Sequence, residues 1–387
     1  MQRYLLIISL LLFFFILPGC GNSLEINETI IPIGMGLELK GDDKVLSAQM
    51  ASAQETGSGE GSSAPVLVIS ESGTGTWAEL ARRSSLSLSR SPLWAFTSSV
   101  FIGENLARKD TGLFVDILAR NRFIRNNIFL FLTKGTTPEE IFRCKVQAED
   151  YSVTTLEKTI TTQEKQIGIY MPVYASDFLY KSATPGIEPV LPQVTIDKEP
   201  NAEQIKLNGT AVFLERKMVG SLDQYESRGF RFLSPKMISA GLFNLKAPEG
   251  TNNDLADIIT MELIRSEAKW EPVIKDNKIN IQVTIKTEGN LYEQNNLIDY
   301  STPEMINKLE REAENLMKNN ITACIAKAQL LQSDIFGWGL GIKKKHPRLW
   351  EEVKTDWPQV FSRLDTNIEV DFKLRRSYLL EKPFKFQ

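Results

Sequence analysis

The stretch KINIQVTIK, residues 278–286, alternates strictly between polar and apolar side chains. Ile279, Ile281, Val283 and Ile285 lie on one face of an extended chain, because successive side chains of a strand point to opposite faces. This period of two is typical of a strand in an antiparallel sheet that has one buried face. The stretch therefore predicts a sheet whose apolar side is covered by another layer.

A long helix after this strand is predicted to be that layer. Thr302 and Pro303 form a helix start, since proline is favoured at the first helical position. Residues 367–375 then alternate again, so the C-terminal part is predicted to be an antiparallel sheet with a long helix on one face. The helix has one broad apolar stripe, whose members recur every three or four positions: Ile306, Leu309, Ala313, Leu316, Met317, Ile321, Cys324, Ile325 and Ala328.

The first half of the chain has a different rhythm, in which short apolar runs alternate with helical segments. Strands are predicted at residues 66–70, 93–102 and 128–132, and helices at residues 77–88 and 103–121 and from residue 137. Thr76 is predicted to cap the first of these helices, with Glu79 three residues later. This alternation is typical of a mixed α/β domain.

Polar breaks at residues 198–204 and 248–253 divide the chain. The predicted fold class is therefore α+β and multi-domain. We expect a mixed α/β N-terminal domain at 31–200, a small middle region at 201–250, an α+β domain at 251–376 and a tail at 377–387.

The N-terminus carries the clearest functional signal. Arg3 precedes an apolar run of thirteen residues, 5–17, which is shorter than the about 20 residues that a membrane-spanning helix needs. Small residues follow, and this layout predicts an export signal at residues 1–19. Leu17, Gly19 and Cys20 resemble a bacterial lipobox, in which cleavage falls between Gly19 and Cys20 and the cysteine sulfur is lipidated. Residues 20–30 would then be a lipidated tether; a plain signal peptide with an incidental cysteine is the alternative.

Composition excludes several classes of function. The formal net charge is −3, from 45 basic and 48 acidic residues, so no strong field attracts nucleic acid. His346 is the single histidine, which argues against triads and histidine-rich metal sites. Cys144 and Cys324 form no CxxC pattern and are either one disulfide or two buried thiols. We predict no catalytic residue, no metal and no cofactor, and the sequence assigns no ligand-binding residue.

Two motifs have a functional and a simpler interpretation. Residues 337–341 (GWGLG) resemble a phosphate loop but lack the lysine and hydroxyl residue of a Walker motif. We expect a helix stop with packing glycines instead. Residues 343–346 (KKKH) form a basic cluster that fits a solvated turn better than a contact with lipid headgroups or an acidic partner.

Five blocks in order resemble the Ger(x)C family, the lipoprotein C subunits of spore germinant receptors. After the lipobox come IIPIGMGLEL at 30–39, the segment at 100–135 with GENLA and DILAR, and NGTAVFLERKMVGSL at 208–222. DIFGWGLGIKKKHPRLWEEVKTDWPQVF at 334–361 and the ending IEVDFKLRRSY complete the set. Two departures are residues 89–92 (SRSP), where the family usually has a histidine, and Ser377, where it has Thr-Gly.

The resemblance implies a non-enzymatic lipoprotein that is anchored to the outer face of a membrane. In this family that membrane is the inner membrane of the spore. Its implied partners are the integral membrane A and B subunits of a nutrient germinant receptor. That complex responds to small nutrients and triggers release of dipicolinate and ions.

A substrate-binding lipoprotein of a transporter is the alternative function. It requires two α/β lobes around a cleft, and the predicted antiparallel C-terminal domain argues against that arrangement. A membrane-tethered enzyme is disfavoured by the single histidine.

Overall fold

The computed structural model describes residues 28–51, 66–121, 124–146, 149–199, 202–234, 241–249, 257–275 and 278–377. The strands within these ranges form two sheets. The first contains β1 (Thr29–Lys40), β2 (Asp43–Ala51), β3 (Leu67–Gly73), β4 (Ser91–Pro92), β5 (Ser99–Gly103), β6 (Phe129–Thr133), β7 (Val190–Glu199), β8 (Ala202–Leu214) and β9 (Lys217–Leu222). The second contains β10 (Leu242–Lys246), β11 (Ile258–Lys275), β12 (Lys278–Gln294) and β13 (Asp365–Ser377).

The helices are numbered along the chain. They are α1 (Trp77–Arg83), α2 (Glu104–Lys109), α3 (Gly112–Arg120), α4 (Pro138–Arg143), α5 (Ser152–Gln166), α6 (Ala175–Ala183), α7 (Gln224–Leu233), α8 (Pro303–Leu330), α9 (Trp338–Lys345), α10 (Pro347–Val353) and α11 (Trp357–Phe361).

The first sheet is mixed, with the order β3-β2-β1-β5-β6-β7-β8-β9 and β4 beside the start of β1. Its centre is parallel, from β1 through β5 and β6 to β7, and antiparallel hairpins extend it on both sides. Helices cover both faces. Phe101 and Phe131 stack at 5.2 Å on the face that carries Phe142 of α4, whereas Val100 and Ile102 point to the opposite core. This is the mixed α/β architecture that the first half of the sequence predicted.

The second sheet confirms the strand at residues 278–286, which continues to Gln294. α8 lies on this sheet and buries most of the predicted stripe, including Leu309, Met317 and Cys324. Thr302 caps it by accepting a hydrogen bond from the Met305 N–H at 3.3 Å. One expectation was wrong in detail. β13 runs parallel to β12, because the chain returns to the sheet through the helices α8 to α11 rather than through a tight turn.

Three predicted elements differ from the structure. The helix expected at 103–121 is two helices, because the Asp110 carboxylate accepts the Gly112 N–H at 2.8 Å and interrupts the helical hydrogen bonds. The strand expected at 93–102 begins only at Ser99, after a 3₁₀ turn at Trp94–Phe96. The helix expected at 77–88 ends at Arg83 and continues as a 3₁₀ turn, while its predicted Thr76 cap is present.

The predicted division at residue 200 falls between two paired strands. β7 and β8 are antiparallel neighbours whose pairing begins with Glu199 opposite Ala202. Residues 202–222 therefore continue the first sheet. β10 already belongs to the second sheet. The domain limits 31–200, 201–250 and 251–376 remain predictions.

Candidate functional site

The most elaborate polar arrangement surrounds the carboxylate of Asp334, which is 2% exposed in the loop between α8 and α9. Its Oδ1 accepts hydrogen bonds from the N–H groups of Gly337 at 2.9 Å and Trp338 at 3.1 Å. Its Oδ2 accepts from the Gly339 N–H at 2.7 Å and from the indole Nε1 of Trp357 at 3.1 Å. Four donors thus converge on one buried side chain.

This arrangement changes the interpretation of GWGLG. Gly337 adopts a left-handed conformation with φ of 77° and begins α9, so the motif starts a helix and does not stop one. The first turn of a helix leaves N–H groups without helical partners, and Asp334 accepts three of them. Because a protein carboxylate occupies the position that an anion takes at a helix N-terminus, the loop has no place for a phosphate.

The same loop is tied to the first sheet. The Asp334 carbonyl accepts the Glu188 N–H at 2.9 Å, and the Gly186 carbonyl accepts the Leu340 N–H at 2.8 Å. Gly186 has φ of 84°, and a Cβ there would lie 2.5 Å from the Leu340 nitrogen, so only glycine permits this approach. We call Asp334, Glu188, Gly186 and Trp357 the junction cluster.

Aromatic rings surround the junction cluster. Phe336 and Trp338 stack at 4.7 Å, Trp338 lies 5.6 Å from Phe361, and Trp350 lies 5.6 Å from Trp357. These rings come from the α8–α9 loop and the short helices after it. They exclude water from the carboxylate, so its hydrogen bonds are stronger than they would be at the surface.

The two carboxyl groups of the junction cluster have raised pKa values. Burial raises the pKa of Glu188 to about 7, helped by the nearby charges of Asp334 and Glu215 and opposed by the hydrogen bond from the Glu215 N–H. That bond measures 3.0 Å. Burial also raises the pKa of Asp334 to about 6, against the lowering effect of its four donors. Both carboxyl groups of the cluster therefore hold a proton more readily than a carboxyl group in water does.

The residues predicted from sequence are distributed as follows. Gly19 and Cys20 lie outside the described residues, so cleavage and lipidation remain predictions. Cys144 and Cys324 are both buried free thiols, which decides the open alternative against a disulfide. His346 lies between α9 and α10, and Lys343, Lys344 and Lys345 are exposed in the last turn of α9.

The described part of the chain offers neither a metal site nor a membrane span. Within it, no three side chains of the metal-binding types come together. None of its helices is both long and apolar enough to cross a membrane.

A second feature is the side of the first sheet where the central strand β1 starts, which is formed by strand ends and the turns beside them. Thr29 and Ile30 pair with β4, and the Leu93 N–H donates to the Ile30 carbonyl at 2.9 Å. Exposed apolar side chains lie at this edge: Leu67, opposite Met50 near the end of β2, and Phe96, whose ring carries the guanidinium of Arg125 at 5.9 Å. We call Thr29, Leu67, Phe96 and Arg125 the β1-start edge.

Sequence reasoning missed the junction cluster. Asp334 precedes Gly337 by three residues, and an aspartate before a glycine and a short apolar segment is a helix-start signal that could have revealed the cap. Nothing in the sequence around Glu188 indicates burial, because its environment is supplied by residues far along the chain.

Comparison with known proteins identifies the family to which this chain belongs. A family model described as "Spore germination protein N-terminal domain" matches residues 22–196, and one described as "Spore germination B3/ GerAC like, C-terminal" matches residues 208–378. The fold and these matches define a germination protein of two successive parts. The chain belongs to the GerAC-like family, which is the Ger(x)C family that the sequence resembled.

Individual relatives match this chain over nearly its full length. Spore germination protein KC of Bacillus subtilis (strain 168) is 24% identical, with 100% of this chain and 98% of that protein covered. Spore germination protein A3 of the same organism is 23% identical, with 93% of each covered. The crystal structure of the GerBC protein matches with a TM-score of 0.57 at 19% identity, covering 88% of this chain and 96% of that one. The predicted fold class is confirmed.

Proposed function

We propose that this chain is a lipid-anchored, non-catalytic subunit of a nutrient germinant receptor and is required to trigger spore germination. The observation that carries the proposal is Cys20, at the end of a thirteen-residue apolar run and inside a chain of this family. Relatives that cover the chain almost completely are named spore germination proteins.

The proposed anchor precedes strand β1 by a short stretch of chain. Thr29 follows Cys20 by nine residues, which reach about 30 Å at full extension. The β1-start edge would therefore lie close to the lipid surface. It carries exposed apolar side chains, Leu67 and Phe96, beside the cation of Arg125, a combination suited to the interface of an anionic membrane.

In this proposal the lipid anchor acts together with the membrane contact of the β1-start edge. A single acyl chain binds membranes only marginally, at about 0.8 kcal/mol per buried CH₂, and stable anchoring needs a second chain or another membrane signal. In the lipoproteins that the N-terminus resembles, the cysteine carries its lipid on sulfur and becomes the new N-terminus. We propose Cys20 as the lipidated residue and Gly19–Cys20 as the cleaved bond.

The proposed partners are integral membrane subunits of the A and B types, and the proposed location is the outer face of the inner spore membrane. A non-catalytic role is supported by the junction cluster, whose Asp334 carboxylate is occupied by four protein donors. A side chain held in this way stabilises a joint between two parts of the chain and is not available to a substrate.

Metabolic labelling with radioactive palmitate tests the anchor. We expect label in the wild-type chain and in Cys144→Ala, a matched control that removes a buried thiol, and no label in Cys20→Ala. We also expect Cys20→Ala to leave the membrane fraction. A Cys20→Ala chain that stays in the membrane fraction and still supports nutrient germination would overturn the anchoring part of the proposal.

A further inference from the structure

A groove of about 490 Å³ lies between the end of α3 and the beginning of β6. β6 pairs with the start of β5, and β5 pairs with β1, so the groove lies on the same side of the first sheet as the β1-start edge. Its lining combines cations, amides and apolar side chains, and includes Leu118, Arg120, Ile124, Arg125, Asn126 and Asn127.

The loop that forms the groove is fixed to the rest of the fold. The Ser176 N–H, in the first turn of α6, donates to the Asn126 carbonyl at 3.0 Å. Ile124 and Ile128 are 5% and 2% exposed, so both are anchored in the core. The exposed side chain of Arg125 is therefore presented to solvent from a fixed piece of main chain.

Arg125 supplies a cation that is free for an outside anion. Its guanidinium lies 5.9 Å from the centre of the exposed Phe96 ring, which joins the groove to the β1-start edge. Arg120 forms an ion pair with Asp116 at 2.8 Å, whereas no carboxylate among the described residues pairs with Arg125. A guanidinium is a planar fork of donors that matches the oxygens of a phosphate.

The sequence keeps negative charge away from this side of the sheet. Residues 80–103 lead through β4 and the Trp94–Phe96 turn into β5, and residues 117–138 contain the groove and β6. Neither segment has an acidic residue, and together they have six arginines. Cations beside an exposed apolar ring are suited to an anionic lipid surface, where electrostatic attraction adds to apolar burial.

We propose that the groove binds the phosphate of an anionic glycerophospholipid in the membrane that carries the anchored chain. The Arg125 guanidinium pairs with the phosphate oxygens, the amide NH₂ groups of Asn126 and Asn127 donate to the headgroup, and Phe96 lies beside it at the apolar boundary. The site deepens the proposed function and rests on it, because the anchor is what holds this side of the sheet against lipid.

Native mass spectrometry of the full-length chain in non-ionic detergent tests the site with three probes. Phosphatidylglycerol is anionic, phosphatidylcholine carries the same phosphate with a compensating ammonium group, and glycerol phosphate lacks the acyl chains. We expect the apparent Kd for phosphatidylglycerol to be at least about fivefold below that for phosphatidylcholine, the effect of one unpaired cation near an anionic lipid. Equal affinities for the two lipids would overturn the proposal. Glycerol phosphate that binds as tightly as phosphatidylglycerol would also overturn it, because the ligand would then be a free phosphate.

Two variants and one control assign the contact. Arg125→Gln should raise the apparent Kd for phosphatidylglycerol about fivefold and leave that for phosphatidylcholine nearly unchanged. Asn126→Asp places a carboxylate beside Arg125 and should weaken phosphatidylglycerol binding at least as much. Arg348→Gln, on the exposed surface of α10, should bind like wild type. All three side chains are exposed, so melting temperatures equal to that of wild type are expected. Unchanged binding in both groove variants, or an equal loss in the control, would overturn the site.

The same spectra separate this site from the anchor. The mass of the chain itself shows whether Cys20 carries its lipid, whereas phosphatidylglycerol adds mass as a ligand that dissociates. A lipidated chain without selectivity for phosphatidylglycerol would overturn the headgroup site and leave the proposed function standing. A selective chain without the Cys20 lipid would support the headgroup site and overturn the anchor.

Discussion

The buried carboxylate of Asp334 accepts a 3.1 Å hydrogen bond from the indole N–H of Trp357, 23 residues further along the chain. Asp334 belongs to the loop after α8, whereas Trp357 begins α11. The same aspartate accepts the first N–H groups of α9, and its carbonyl accepts the Glu188 N–H from the segment that enters the first sheet. One residue thus joins the helical C-terminal segment to the N-terminal sheet.

Asp334→Asn should strongly destabilise the protein. Each carboxylate oxygen of Asp334 accepts two hydrogen bonds. Asparagine replaces one of these oxygens with an NH₂ group, which is a donor and cannot accept, so two of the four donors would lose their acceptor. We expect a loss of roughly 3 kcal/mol in the free energy of unfolding, measured by chemical denaturation. Asp356→Asn is the matched control, since the exposed Asp356 side chain caps nothing. Equal stability of the two variants would show that the cap contributes little.

Glu188 should make stability depend on pH near neutrality. Its pKa rises from 4.5 to about 7 in the folded protein, so the folded state holds the proton more tightly than the unfolded state does. The stability contribution of this proton is complete below about pH 4.5 and is lost as the pH rises through about 7.

Glu188→Gln isolates this effect, because glutamine stays neutral and can still accept the Glu215 N–H. The variant should match wild type near pH 4.5 and exceed its unfolding free energy by roughly 1–3 kcal/mol at pH 8. Denaturation curves from pH 4.5 to 8 measure the difference. A constant offset between the two proteins across this range would contradict the assignment.

Gly186→Ala should weaken the junction cluster. The added Cβ would lie 2.5 Å from the Leu340 nitrogen, in a backbone conformation that alanine rarely adopts. Gly135→Ala is the matched control, because Gly135 has a similar φ of 65° and no atom lies within 4 Å of the place that its Cβ would take. We expect thermal unfolding to show a larger loss for Gly186→Ala, by roughly 1–3 kcal/mol. Equal losses would mean that the loop moves away without cost.

The β1-start edge should be shielded when the anchored chain sits on a membrane. Hydroxyl-radical footprinting of lipidated protein on anionic vesicles, compared with Cys20→Ala in solution, should show less oxidation of Phe96 and Leu67. Leu330 is the control whose oxidation should not change. It is 76% exposed at the end of α8, next to Leu331, which packs on β9 at the far end of the first sheet's strand order. Uniform protection, or none at Phe96, would show that another surface faces the lipid.

Local patterns predicted the elements that are stabilised locally. The alternation at 278–286 and the stripe of α8 were sufficient because each has one buried face along its whole length. The parallel pairing of β13 with β12 depends on the path of the intervening helices, which no short pattern records. The break between α2 and α3 was missed because Asp110 is fixed by Arg216, whose guanidinium donates to it at 2.8 Å from 106 residues away.

The candidate sites also differ in whether a contiguous stretch of sequence or only the fold creates them. Cys20 could be predicted because a lipobox is a contiguous signal, whereas Asp334 and Glu188 acquire their burial and raised pKa values only through the fold.

Dipicolinate release from spores tests the central claim most directly. Spores that lack this chain, in a strain whose other receptors of this kind are also deleted, should release no dipicolinate on nutrient addition and should still germinate when dipicolinate is supplied. Restoring the wild-type gene should restore the nutrient response. Nutrient-triggered release at the rate of the matched strain that retains the gene would contradict a role in the receptor.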